Sequence, residues 1–344
     1  MTAPDEPLST GDHRTPGETG ADLTAGHRLE SAILGEEAVY NALEVADETG
    51  ATIDQARRLW RALGFPDRGV ERAFTQADAD AVSTLLRLVD GGVVDFDMAV
   101  NLTRAVGQTM ARLADWEVAT LVHRVQELEA GDEATGSRVT AALQMVETLT
   151  VPFEELLVYV WRRHLAAAVS RVEALGAHEE DLHTVQLTVG FADIVSFTAL
   201  TNQLENDRIG DLVEIFESRC ADVVAGQNGR VIKSIGDAVL FVNEDPIRAY
   251  DTAEGIIAVI GRDPRMPDVR VGLSTGSVVM RLGDVFGAPV NMAARLTAVA
   301  RRNRVIVDQE TAQRLPEDQF EARALPARPV RGFGLVEPVA VRRH

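Results

Sequence analysis

The run FADIVSFT carries Asp193, KSIGDAV carries Lys233 and Asp237, and RLGDVFGAPVNMAAR carries Asp284, Asn291 and Arg295. If Asp193 and Asp237 lie on neighbouring strands, their hard oxygen donors converge, as a pair of magnesium ions bridging a triphosphate requires. Gly236 lets the backbone turn beside Asp237 without a steric penalty. Taken singly, each aspartate also reads as a turn or cap residue, and a polymerase-like palm would show the same pair. Asn291 and Arg295 are four residues apart and share one helix face. An amide and a guanidinium presented together can hold a ribose and a phosphate, although alone they would pass for a solvated face. Lys233 is the only lysine among 34 basic residues. Together with Asp284 it can read adenine, the ammonium donating to a ring nitrogen and the carboxylate accepting from the 6-amino group. Arginine's rigid fork would not suit a position with a single acceptor.

Several elements must position these side chains. LTVGFADIVSF is a β-rich run, IGDLVEIFESRCADVVAG is helical, and VIKSIG and AVLFV are short strands around Gly236-Asp237. PIRAYDTAEGIIAVIG is helical again and VRVGLSTGSVVM is a strand. The order β-α-β-β-α-β predicts a ferredoxin-like sheet with helices on one side. The first strand then lies beside the hairpin of the second and third, with Asp193 on the strand and Asp237 at the hairpin tip. Asp284 falls in a loop before a helix through NMAARLTAVA. The strand VIVD and a strand pair around FEARAL and EPVAVRR follow. The fold class expected is α+β, a βαββαβ domain preceded by an all-α domain.

The preceding half has helical periodicity throughout. Thr52 and Gln55 have capping-box spacing, Gly64 and Pro66 end that helix, and Asp95 caps a long run. Gly131 to Gly136 breaks the pattern, and Pro152 marks a restart. Residues 1–25, rich in Pro, Gly, Thr and acids, read as disordered. Residues 26–175 read as all-helical, 176–186 as a linker, and 187–344 as the domain with the chemistry. TIDQARRLWRALGFPD and AFTQADADAV, with Arg57, Arg58, Arg61, Arg68 and Arg72 nearby, suggest a helix-turn-helix. The acidity around them opposes it.

The net charge is −19, and residues 1–180 carry −16 of it. Such acidity argues against nucleic acid and against docking on anionic lipid. The nearly neutral second half can tolerate a polyanionic ligand. The lone Cys220 cannot form an internal disulfide and reads as a small core residue. The N-terminal run has neither a basic start nor an apolar stretch, so no secretion signal is expected. No segment approaches the roughly 18 apolar residues needed to cross a bilayer. A soluble, cytoplasmic protein is expected. No His lies between 184 and 343, so imidazole base catalysis is not expected in this domain.

Over residues 187–344 the three motifs resemble the catalytic domain of class III nucleotide cyclases. The resemblance implies conversion of ATP to 3′,5′-cyclic AMP and pyrophosphate at two sites of a head-to-tail homodimer, with Mg2+ or Mn2+, two per site. It implies that Asp193 and Asp237 bind metal, with the Ile194 carbonyl as a further ligand. Lys233 and Asp284 match the adenine-selecting pair, where guanylyl cyclases carry glutamate and cysteine. Asn291 and Arg295 resemble the residues that orient the ribose and stabilise the transition state, and Arg331, in PVRGFG, one that holds the triphosphate. A guanylyl cyclase and a catalytically silent nucleotide-binding regulator remain as alternatives. A diguanylate cyclase would need a Gly-Gly-acid-Glu-Phe turn, which SIGDAV is not. Residues 26–175, through ARRLWRALGF and their all-helical layout, resemble the regulatory domain of actinobacterial soluble cyclases, among them a pH-sensing mycobacterial one. That likeness implies regulation by this domain, through pH or a small ligand such as a lipid. His178 and His183, in AHEEDLH at the junction, are the expected titrating groups, beside Glu179, Glu180 and Asp181.

Overall fold

The computed structural model describes residues 20–174 and 184–344, except 67, 132, 133, 203, 205 and 282. The chain divides into two compact units, Met1–Ala168 and Val169–His344.

The first half is built from α1 (Gly20–Leu34), α2 (Ala42–Thr49), α3 (Ile53–Leu63), α4 (Gln76–Asp90), α5 (Phe96–Ala130) and α6 (Arg138–Ala174). Local signals set the ends of several. Thr52 and Gln55 form a reciprocal capping box at α3, which stops at Gly64 in the left-handed region. Asp95 caps α5 by accepting from the Met98 amide at 2.7 Å. Trp60 packs edge-on against Phe74 with centroids 4.5 Å apart. Leu59, Val82 and Val100 are buried around them. Arg58, Arg68 and Arg72 pair with Asp97, Glu71 and Glu44, so three of the five helix-turn-helix arginines already face carboxylates.

In the second unit β1 (Thr184–Ile194), α7 (Phe197–Thr201), α8 (Asn206–Gly226), β2 (Arg230–Ile235), β3 (Ala238–Asn243), α9 (Pro246–Gly261) and β4 (Val269–Arg281) come first. They are followed by β5 (Asp284–Phe286), α10 (Ala288–Val299), β6 (Val305–Val307), α11 (Gln309–Arg314), β7 (Phe320–Ala324), β8 (Arg328–Val330), β9 (Gly334–Val336) and β10 (Val339–Arg343). The sheet runs β2-β3-β1-β4-β6-β10-β7, with β5 added to the end of β4. Each of its first four strands is antiparallel to its neighbours among them, the arrangement expected of βαββαβ. Val239, Phe241, Val271 and Leu273 alternate onto the face that buries Phe216 of α8 and Tyr250 and Ile256 of α9. Each such side chain contributes about 1.5–3 kcal/mol through burial. Cys220 sits in this core, and burial, aided by the Glu217 charge, pushes its thiol up to about 12. It therefore stays protonated as a packing residue.

The two helices of the βαββαβ unit, α8 and α9, share this face, as the pattern suggested. α10 covers the opposite face, where Ala293 joins Val189, Leu240 and Val278. A Cβ on Gly272 would lie 2.4 Å from the Thr297 amide nitrogen and 2.6 Å from the Ala293 carbonyl oxygen. The helix backbone thus rests directly on β4, and only glycine leaves room for it.

Other local expectations are corrected. Asp284 is not in a loop, because β5 pairs it with Arg281 at the end of β4. Pro152 starts no helix and lies well inside α6. A proline there removes one backbone hydrogen bond at a cost of about 3 kcal/mol, and the long helix-favouring runs on both sides carry the helix through. α1 begins at Gly20, within the stretch read as disordered, whose first 19 residues lie outside the described ones. β1 begins at Thr184, within the stretch read as linker. His178 and His183 also lie outside the described residues.

Candidate active site

Asp193 is the penultimate residue of β1, opposite Ala238 of β3 on one side and Arg270 of β4 on the other. The hairpin tip reaches the same place. Gly236 turns with φ +63°, and the next residue, Asp237, accepts from the Ile194 amide through its carbonyl at 3.0 Å. The two aspartates are thereby brought to one end of the sheet, with Ile194 between them in this hydrogen-bonded link. Burial pushes the Asp193 carboxyl above the usual aspartate range, Arg270 opposes this, and the Asp237 charge adds to the rise. A desolvated carboxylate next to a second negative charge calls for a cation. Two carboxylates suit a hard divalent ion such as Mg2+, which a protein commonly holds through one or two of them plus substrate phosphates. The donor set fits.

Arg270 is a site residue that the motifs did not single out. Its Nε donates to Asp193 Oδ2 at 2.7 Å, its Nη2 lies 2.6 Å from the same oxygen in an ion pair, and its Nη1 donates to the Ala298 carbonyl at 3.1 Å. The one available signal was alternation: in VRVGL the valines and leucine take the core face, which leaves Arg270 facing the other way.

Lys233 of β2 donates to the Asp284 Oδ2 of β5, although the two are 51 residues apart. The second carboxylate oxygen of Asp284 accepts from the Val285 amide at 2.9 Å. Their side chains are 36% and 26% exposed, so a ligand can reach the pair. Val231 and Ile235, two residues either side of Lys233, are exposed, as are Phe286 and its strand partner Val279. Asn291 and Arg295 lie one turn apart on α10, both exposed. Arg331 stands apart, exposed in the turn of the separate β8–β9 hairpin; no described contact joins it to the others.

Residues 180–341 match the family described as the adenylate and guanylate cyclase catalytic domain. An adenylate cyclase of Streptomyces coelicolor is 38% identical over 98% of this chain and 94% of its own. One from Streptomyces griseus is 37% identical over 92% and 88%. The pH-sensitive adenylate cyclase of Mycobacterium tuberculosis is 30% identical over 90% and 80%. Among solved structures, that of the adenylyl cyclase CyaB from P. aeruginosa is 22% identical over 46% of this chain and 94% of that one, with TM-score 0.42. The βαββαβ sheet and the two aspartates at its end lie within the matched residues. The chain belongs to the class III adenylate and guanylate cyclase family. No helix among the described residues is long and apolar enough to cross a membrane.

Proposed function

We propose that this protein is an adenylyl cyclase that converts ATP to 3′,5′-cyclic AMP and pyrophosphate at the interface of a homodimer. The observation that carries the reading is the Lys233–Asp284 pair, a donor and an acceptor fit for the adenine edge, in a chain of this family. Class III cyclases depend on divalent metal ions. Mg2+ or Mn2+, two per site, held by Asp193, Asp237 and the Ile194 carbonyl, would lower the pKa of the 3′-hydroxyl and neutralise the triphosphate. The ribose 3′-hydroxyl gives up its proton to solvent and its oxygen attacks the α-phosphorus in line; the new O–P bond forms as the bond to the oxygen bridging to the β-phosphate breaks and pyrophosphate leaves. Asn291 orients the ribose. Arg295 meets charge growing on the phosphoryl oxygens and so acts mainly on the transition state. Arg331 would hold the triphosphate. The exposed apolar side chains beside Lys233 and Asp284 support a second copy closing over this face.

The full-length chain with Mn2+ and ATP is expected to yield cyclic AMP. With GTP it should yield cyclic GMP at no more than about one-hundredth of that rate. Equal rates would sink the adenine assignment, and no product from either nucleotide would favour a silent regulator.

We infer further that the helical half restrains the catalytic pair near neutral pH and releases it on mild acidification. The M. tuberculosis relative, whose name marks it as pH-sensitive, supports this, as do His178 and His183 among acids. Protonation there would add positive charge beside Glu179, Glu180 and Asp181. Full-length protein should gain activity from about pH 8 to 5.5, while a chain starting near residue 184 should not. Identical profiles would end the idea.

A further inference from the structure

An open cleft lies between α8, the end of α9 and the segment that joins α9 to β4. Its walls are Arg219, Val259, Arg262, Asp263 and Pro264, and it measures about 400 Å3, a size common among small-molecule sites. None of the candidate active-site residues lines it.

Arg219 Nη2 donates to Asp263 Oδ2 at 2.8 Å. Arg265 closes on the same carboxylate through Nε at 3.0 Å, Nη2 at 2.9 Å and its backbone amide at 3.0 Å. Arg265, with Arg219, holds the Asp263 carboxyl well below the usual aspartate range. The aspartate is thus fully engaged, yet it faces more cations than it can balance. Arg262 is exposed and makes no ion pair among the described residues. Three arginines against one aspartate leave a surplus of two positive charges, in a chain whose net charge is −19. The next acid on α8, Asp222, is not among the walls.

A second observation points the same way. Nη1 of Arg219 is shut off from solvent and has no acceptor among the described residues. A buried charged donor without a partner is costly, and native structures rarely leave one unserved. The Arg219 side chain is 27% exposed and lines the cleft, so an incoming acceptor meets this same guanidinium. A pair that only pinned the α9–β4 segment to α8 would need neither the orphaned Nη1 nor Arg262 beside it.

We propose that this cleft binds a small phosphate-bearing molecule, its phosphate between Arg219 and Arg262 and any organic part against Val259 and Pro264. A phosphate dianion matches the surplus charge, and its several oxygens can serve two guanidinium forks at once. A carboxylate brings one charge and two oxygens. Asp263 opposes any anion, but its three guanidinium bonds blunt that repulsion. The site does not depend on the cyclase reading.

The test is calorimetric titration of the full-length protein with inorganic phosphate, without divalent metal or nucleotide, at about pH 8, where the dianion prevails. Saturable binding is expected. Arg262→Gln should weaken it about tenfold or more, through loss of charge-assisted hydrogen bonds. Arg219→Gln should do the same, with the thermal unfolding midpoint followed in parallel; if it does not fold, Arg262→Gln carries the comparison. Arg295→Ala, on α10, should leave the affinity unchanged. Phenyl phosphate binding more tightly than inorganic phosphate would identify an organic phosphate as the ligand, and equal affinity free phosphate; both support the site. No saturable binding up to roughly 10 mM phosphate would overturn it and leave Nη1 to a buried water. Binding unaltered by both arginine variants, or lost only in Arg295→Ala, would overturn it too, because the phosphate would then sit elsewhere.

Discussion

Asp237→Ala and Lys233→Ala each reduce cyclic AMP formation by about a hundredfold or more, and mixing the two inactive proteins restores part of the activity. The two residues are four apart on one hairpin: Lys233 in β2 points to Asp284, and Asp237 sits at the turn beside β1. On the homodimer reading proposed above, each site would take its metal carboxylates from one chain and its adenine-reading pair from the other. A dimer with one copy of each variant then has one site that lacks both functional groups and one that lacks neither. With free exchange, half the dimers are mixed, so about a quarter of the parent activity should return. The measurement is cyclic AMP production by separately purified variants, alone and after mixing. Heterodimers shown by tagged pull-down to form, yet inactive, would mean that Lys233 and Asp237 serve the same site.

Substrate choice is the second large effect. Lys233→Glu together with Asp284→Cys should lower ATP turnover by about a hundredfold or more, because the adenine edge then meets donors and acceptors in the wrong places. The double variant is the fair test. Lys233→Glu alone would set a second carboxylate against Asp284 in a half-buried place and confound recognition with repulsion. Rates with ATP and GTP, measured side by side at saturating Mn2+, read the outcome. An unchanged preference for ATP would remove the pair from base recognition, whatever the effect on overall rate.

Local chemistry wrote much of this architecture into the sequence. The capping box at Thr52 and Gln55, the Asp95 cap, and the α9 helix starting at Pro246 follow from side chains that satisfy nearby backbone groups or preset φ. The β-rich runs of β1 to β4 follow from strand-favouring residue types between turn residues. The lone lysine, the two aspartates and the Asn–Arg step on α10 are equally legible, because their residue types and short spacings are local facts. Pro152 shows the limit of such rules: a helix-start signal is overridden when helix-favouring residues flank it on both sides. Register was beyond reach. That Asp193 faces Arg270 depends on which residue of β4 lies across from which residue of β1, 77 positions apart, and a one-residue slip would turn Arg270 to the other face. The placement of α10 was equally hidden, since Gly272 reads as an ordinary glycine until the Thr297 amide is found where its Cβ would be. The sequence by itself determined which groups are the candidates for the chemistry. Only the tertiary structure decided what holds them, because strand register and helix-on-sheet contact join residues that no local pattern connects.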